Sequence, residues 1–177
     1  MVGFSIGASV AVEMVASAGF AGPVVLLGIS LSAKDEPAFF RAIVRSDSVL
    51  GSLPAAVLAK GAASMVKRTA LPADRQDALR EDFRKNVPQH VKRGLREYLS
   101  HLHRHERPAE RLCRTGVPTW IVHAEKGDGG LTDTERRTLE ACPHAVLVTI
   151  PGAVFFLPGE APERIAEVIV DATARAA

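Results

Sequence analysis

Charge is almost missing from the start of this 177-residue sequence, where residues 1–33 carry a single charged side chain, Glu13. That scarcity invites a membrane span or a signal peptide, and the same segment excludes both. No basic residue precedes the apolar run, as a signal peptide requires. Gly19, Gly22 and Pro23 break the run into pieces shorter than the roughly 20 residues of a spanning helix, and Glu13 would lie in its middle. Cysteine is scarce too. Cys113 and Cys142 are the only two, and neither sits in a C-x-x-C pair. A disulfide scaffold is excluded, and a reducing, cytoplasmic compartment is expected. The net charge of +2 gives no ground for a nucleic-acid partner. Internal repeats and low-complexity tracts are absent. With 47% apolar and 24% charged residues, disorder and coiled coil are excluded for the whole chain. Aromatics are only 5%, so the core must be built mainly from Ala, Val, Leu and Ile.

What is present alternates. Residues 6–18 are rich in Ala and Val and predict a helix packed closely on a sheet. Residues 23–29, PVVLLGI, are a continuous apolar run between turn residues, the pattern of a strand buried on both faces. Residues 118–123 and 145–150 read the same way. Between them Thr132 and Glu135 form a capping-box spacing that starts a helix. Pro162 marks the first turn of a final helix. This order predicts an α/β fold with a mostly parallel sheet. From residue 35 to residue 112 no strand pattern occurs. PAFFRAIV, LPAAVLAKGAASMVKR, ADRQDALREDFRKN and VPQHVKRGLREYLSHLH read as helices punctuated by Pro54, Pro72 and Pro88.

The chemistry starts at Gly3-Phe4-Ser5-Ile6-Gly7, a G-x-S-x-G sequence directly before a helix. Such spacing suits a sharp strand-to-helix turn that holds a serine hydroxyl above the sheet, with glycines letting neighbouring chain approach. With GFSIGA, VVLLGI, the helical insert, VPTWIVHAEKGD and IPGAVFFLPGEAPERIAEVI in this order, the sequence resembles the α/β-hydrolases from Gly3 to about Ala174. The resemblance implies a core of residues 1–34 and 113–177 and a helical cap of residues 35–112. It implies Ser5 as nucleophile, the amide of Ile6 as an oxyanion donor and Asp128 as the acid that orients a histidine. Asp35, after the strand 23–29, is the runner-up acid. The implied reaction is hydrolysis of an ester, amide or related carbonyl compound through an acyl-enzyme, with a small-molecule substrate and no metal or organic cofactor.

One absence outweighs these signs. The family's last loop reads like P-G-x-G-H-x-x-x-x-E-x-P-E, and here Val154 or Phe155 stands where the histidine belongs. A serine without a base is a poor nucleophile, so little or no hydrolysis is expected of this chain. A non-catalytic, ligand-binding or interaction member of the fold is the alternative reading. His123, at the end of a strand near the acid loop, is the substitute base to consider; His144 lies at the wrong end of its strand. His101 and His105 have the i, i+4 spacing of metal ligands, but a solvated face is the plainer expectation. Residues 67–114 carry a local net charge of +6, mixed with acids and without interleaved aromatics, and read as a solvated cap surface. The pairs Phe39-Phe40 and Phe155-Phe156 read as core or pocket wall. Several strands that precede the elbow in the family, roughly 80 to 100 residues, have no counterpart. Truncation, or a homo-oligomer paired through the exposed sheet edge, is expected.

Overall fold

Three residues, Val2–Phe4, form the strand β1 that leads into the helix α1, Ile6–Ala18. In this computed structural model, residues 1–36, 55–105, 107–127 and 131–175 are described. The strand β2, Val24–Leu27, follows α1. Gly19 ends α1 in the left-handed conformation and returns its N–H to the carbonyl of Met14. Among the described residues, the helices α2 (Ala55–Arg68), α3 (Ala73–Lys85), α4 (Pro88–Arg104) and α5 (Pro108–Arg114) come next. Then come β3 (Thr119–Ala124), α6 (Asp133–Glu140), β4 (Ala145–Ile150), the short α7 (Leu157–Glu160) and α8 (Pro162–Ala174). The helix expected over PAFFRAIV lies outside the described residues.

The four strands form one parallel sheet in the order β1-β2-β3-β4. Val2 pairs with Val25, Val24 with Thr119, and Thr119 with Ala145. Every residue of β2 and β3 is buried, because helices cover both faces. On one face Val24, Leu26 and Ile121 pack with Ala8, Ala11, Val12 and Val15 of α1 and with Leu139 of α6. On the other, Val25, Leu27, Trp120 and Val122 pack with Ile165, Val168 and Ala172 of α8. The period-2 alternation of a strand divides the apolar run between two cores. Trp120, in the second core, donates its indole N–H to Asp171 at 3.1 Å. The capping box starts α6 as expected, with reciprocal Thr132 and Glu135 bonds.

Helix α5 is not signalled by the sequence. Its Ala109 and Leu112 join the core around α1. Helix α4 buries Tyr98, Leu99 and Leu102 against Ala33 in the segment after β2. Tyr98 donates its hydroxyl to Glu36 at 2.7 Å, fastening α4 to that segment. Among the described residues, no helix is long and apolar enough to cross a membrane.

Candidate functional site

Ser5 sits between β1 and α1 with φ 53° and ψ −122°. A non-glycine residue rarely adopts this conformation, which costs about 1–3 kcal/mol. The Ser5 amide donates to the Leu27 carbonyl of β2 at 2.9 Å, and its carbonyl accepts from Ala8 N at 2.9 Å. Its side chain makes no capping hydrogen bond to the helix. The strained turn therefore does not serve to cap α1. It lifts a hydroxyl to the C-terminal rim of the sheet, beside the N-terminus of α1, whose first residue is Ile6.

Gly3 allows the turn. A Cβ there would lie 2.6 Å from both Ala8 Cα and the Gly7 carbonyl oxygen. These are backbone atoms and cannot swing aside. The Gly3→Ala variant is expected to lose about 3 kcal/mol of stability, measurable by urea unfolding; a loss below about 1 kcal/mol would show that α1 slides off the strand freely. The second glycine differs from the sequence expectation. A Cβ at Gly7 would meet nothing within 4 Å, so Gly7 makes no close approach in this structure. The apolar side chains Ile6, Val10 and Met14 of α1 are exposed nearby, as is Val2 of β1.

Beside Ser5, Phe4 turns toward the last loop. Its ring centroid lies 6.1 Å from that of Phe155 and 5.6 Å from that of Phe156. These rings wall a cavity of about 210 Å³ with Met65, Val66 and Thr69 of the α2 end and Leu79 and Phe83 of α3. The Thr69 hydroxyl donates to the Val66 carbonyl at 2.6 Å, so it does not bring a free polar group to the cavity. The pocket-wall expectation for Phe155-Phe156 agrees with this placement.

The loop that carries Phe155 is tied by one carboxylate. Glu160 accepts backbone N–H bonds from Val154 (2.8 Å), Phe155 (2.9 Å) and Phe156, and from Ala70 in the α2–α3 turn (3.1 Å). The segment 125–127 leads toward the expected acid and lies along the same loop. Lys126 N bonds the Ala153 carbonyl at 3.0 Å, and a Cβ at Gly127 would be 3.5 Å from the Val154 carbonyl.

No protein-family model and no curated protein matches the sequence. Solved structures do. The esterase RhEst1 from Rhodococcus sp. ECU1013 is similar with a TM-score of 0.72 at 17% identity, over 99% of this chain and 65% of that one. A thermophilic esterase from Thermogutta terrifontis gives 0.70 at 19%, over 99% and 64%. MenH from S. aureus gives 0.67 at 16%, over 98% and 67%. The chain has the α/β-hydrolase fold. It spans about two thirds of the length of the structures it matches.

Ser5, the expected nucleophile, lies in the turn between β1 and α1 of this fold. Val154 and Phe155, the two residues where the family's histidine is expected, both donate their amides to Glu160. Asp128 lies outside the described residues. The runner-up acid, Asp35, is buried and accepts the amides of Leu31 (3.1 Å) and Ser32 (2.7 Å). It shapes the segment after β2. Burial, with Glu135 nearby, pushes its carboxyl up to about 6 despite those bonds. His123 is buried on β3, two strands over from β1, a separation of roughly 10 Å.

Several features have no local sequence signal. The cavity draws on residues far apart in the chain. Cys113 and Cys142 lie side by side, and burial together with the Cys142 thiol pushes the Cys113 thiol up to about 12. His101 and His105 turn toward Glu13 of α1 instead of standing on a solvated face. Arg111 of α5 forks onto both Glu13 oxygens, 2.7 Å from Oε2, and holds that carboxyl below its ordinary range.

Proposed function

We propose that this chain carries the nucleophile and acyl pocket of a serine hydrolase acting on an ester, amide or related carbonyl compound with an apolar acyl group. The strained Ser5 backbone carries this reading, because the turn holds a hydroxyl without using it as a cap. In the proposed reaction Ser5 Oγ attacks the carbonyl carbon. The Ile6 amide donates to the developing oxyanion. The alcohol or amine departs with a proton and leaves an acyl-serine for water to hydrolyse. Asp128 is the proposed acid. The apolar cavity under α2 and α3 supports an aliphatic or aromatic acyl group. Esterases among the similar folds support the ester class.

Phe155 in the base position limits the rate. Its ring cannot accept the Ser5 proton, so acylation is slow and turnover slower. A fluorophosphonate probe tests the nucleophile directly. Slow labelling of the wild-type chain, abolished in Ser5→Ala, is the expected result. Equal labelling of both proteins, or none after hours with excess probe, rejects Ser5 as nucleophile. In the second case the cavity is left as a ligand site without chemistry. Strand β1, at the edge of the sheet among the described residues, is the proposed place for strand pairing with a second copy of the chain.

A further inference from the structure

Eight residues beyond Ser5 on α1, about 12 Å along its axis, Glu13 faces the end of α4. Its carboxylate oxygen Oε1 lies 3.7 Å from the Nε2 of His101 and 3.7 Å from the Nε2 of His105. The two imidazole centroids are 4.5 Å apart. One donor atom from each of the three residues lies within 4.8 Å of the other two. We propose that Glu13, His101 and His105 bind a divalent transition-metal ion of the zinc type, which bridges the cap helix α4 to the core helix α1.

The distances favour an ion over direct contact. A separation of 3.7 Å is too long for a hydrogen bond, so the imidazoles do not simply donate to Glu13. Tetrahedral zinc, with bonds of about 2.0–2.1 Å, sets its donor atoms roughly 3.4 Å apart. The two Glu13–imidazole separations reach that spacing with a few tenths of an ångström of side-chain movement, and every donor pair of the three residues starts within 4.8 Å. Two imidazole nitrogens and one carboxylate are a ligand set that zinc accepts with water in the fourth position. His101, His105 and Glu13 are a quarter to a third exposed, so water reaches that position.

Arg111 opposes an incoming cation by charge, yet it leaves room for one. A carboxylate oxygen has lone pairs for two partners. Arg111 also bonds Ser17 Oγ at 2.8 Å, which fixes its guanidinium, and its bond to Oε1 leaves that oxygen's second lone pair for an ion. His105 Nδ1 lies 3.3 Å from Arg111 Nη1, which leaves His105 Nε2 as the atom facing Glu13. His103 on the same helix does not join the group, because its Nδ1 meets the Leu99 carbonyl at 2.7 Å.

Titration calorimetry of the full chain with zinc chloride tests the site. One ion per chain is expected, with a dissociation constant in the micromolar range. His101→Ala and His105→Ala should each weaken binding at least tenfold, while His103→Ala leaves it unchanged. Saturating zinc should raise Tm by roughly 5 °C in the wild type and not in the two histidine variants. A metal-free melt of each variant establishes that it folds. A dissociation constant above 1 mM overturns the site. So does zinc affinity that survives both histidine substitutions but falls in Cys113→Ser or Cys142→Ser, which would place the ion at the thiol pair. The serine probe reads Ser5 alone, so this result stands or falls apart from the hydrolase reading.

Discussion

Replacing Glu160 with alanine is expected to lower stability by about 3 kcal/mol and to release the loop that walls the cavity. Four backbone N–H groups converge on this one carboxylate, three from residues 154–156 and one from Ala70. A charge-assisted hydrogen bond contributes about 1.5–3 kcal/mol. The amides stay partly solvated after the change, so the net loss is below the sum. For a chain of this size the expected fall in Tm is roughly 8 °C. Glu160→Gln sharpens the test. It keeps the volume but turns an amide NH2 toward N–H donors, so it should recover less than half of the loss. Full recovery in the glutamine variant would show that packing, not the converging amides, holds the loop. Release of Phe155 and Phe156 should also weaken apolar ligands of the cavity, measured by binding of a fluorescent apolar dye.

Phe155→His should raise the rate of Ser5-dependent probe labelling by about a hundredfold. A positioned general base contributes roughly 10²- to 10⁴-fold, and the lower end is expected where its supporting acid has not been tuned to it. Phe155 is one of the two positions at which the last-loop pattern expects the histidine, and its ring lies 6.1 Å from that of Phe4, the residue before Ser5. The pH profile gives the signature. Labelling should fall as pH drops through the ordinary histidine range near 6.5, because a protonated ring cannot take the Ser5 proton. The wild type should lack that inflection. A rate unchanged from wild type, with the fold intact, would mean that residue 155 does not face Ser5. Val154→His is the matching control and should leave the rate low.

The sequence made legible whatever was encoded locally. Strands β2 and β3 announced themselves as unbroken apolar runs because helices bury both of their faces. Thr132 and Glu135 marked the start of α6 because a capping box closes within four residues. The strained turn at Ser5 was legible because such a turn demands its own residue types. Gly3 met that demand through its contact with Ala8, whereas Gly7 lies in open space and the pattern overstated its part. Long-range assembly stayed hidden. Helix α5 is seven residues long, and Leu112 belongs to the core only because α1 is there to meet it. Glu13 and Arg111 pair across 98 positions, and no periodicity carries such information. The two cysteines, far apart in sequence, become neighbours only when α5 packs on α6 and the turn into β4.

The pairing of β2 with β3 has a consequence for how the chain reaches this structure. Val24 meets Thr119, so about 95 residues must be brought around before that ladder can close. Closing so long a loop costs chain entropy before any contact returns it. Helices α2 and α3 pack on each other and can form meanwhile. During synthesis, the β3-facing edge of the apolar segment Val24–Leu27 waits uncovered until β3, about 95 residues later, has been made. Folding speed, and the risk of self-association on the way, are therefore set by the arrival of β3.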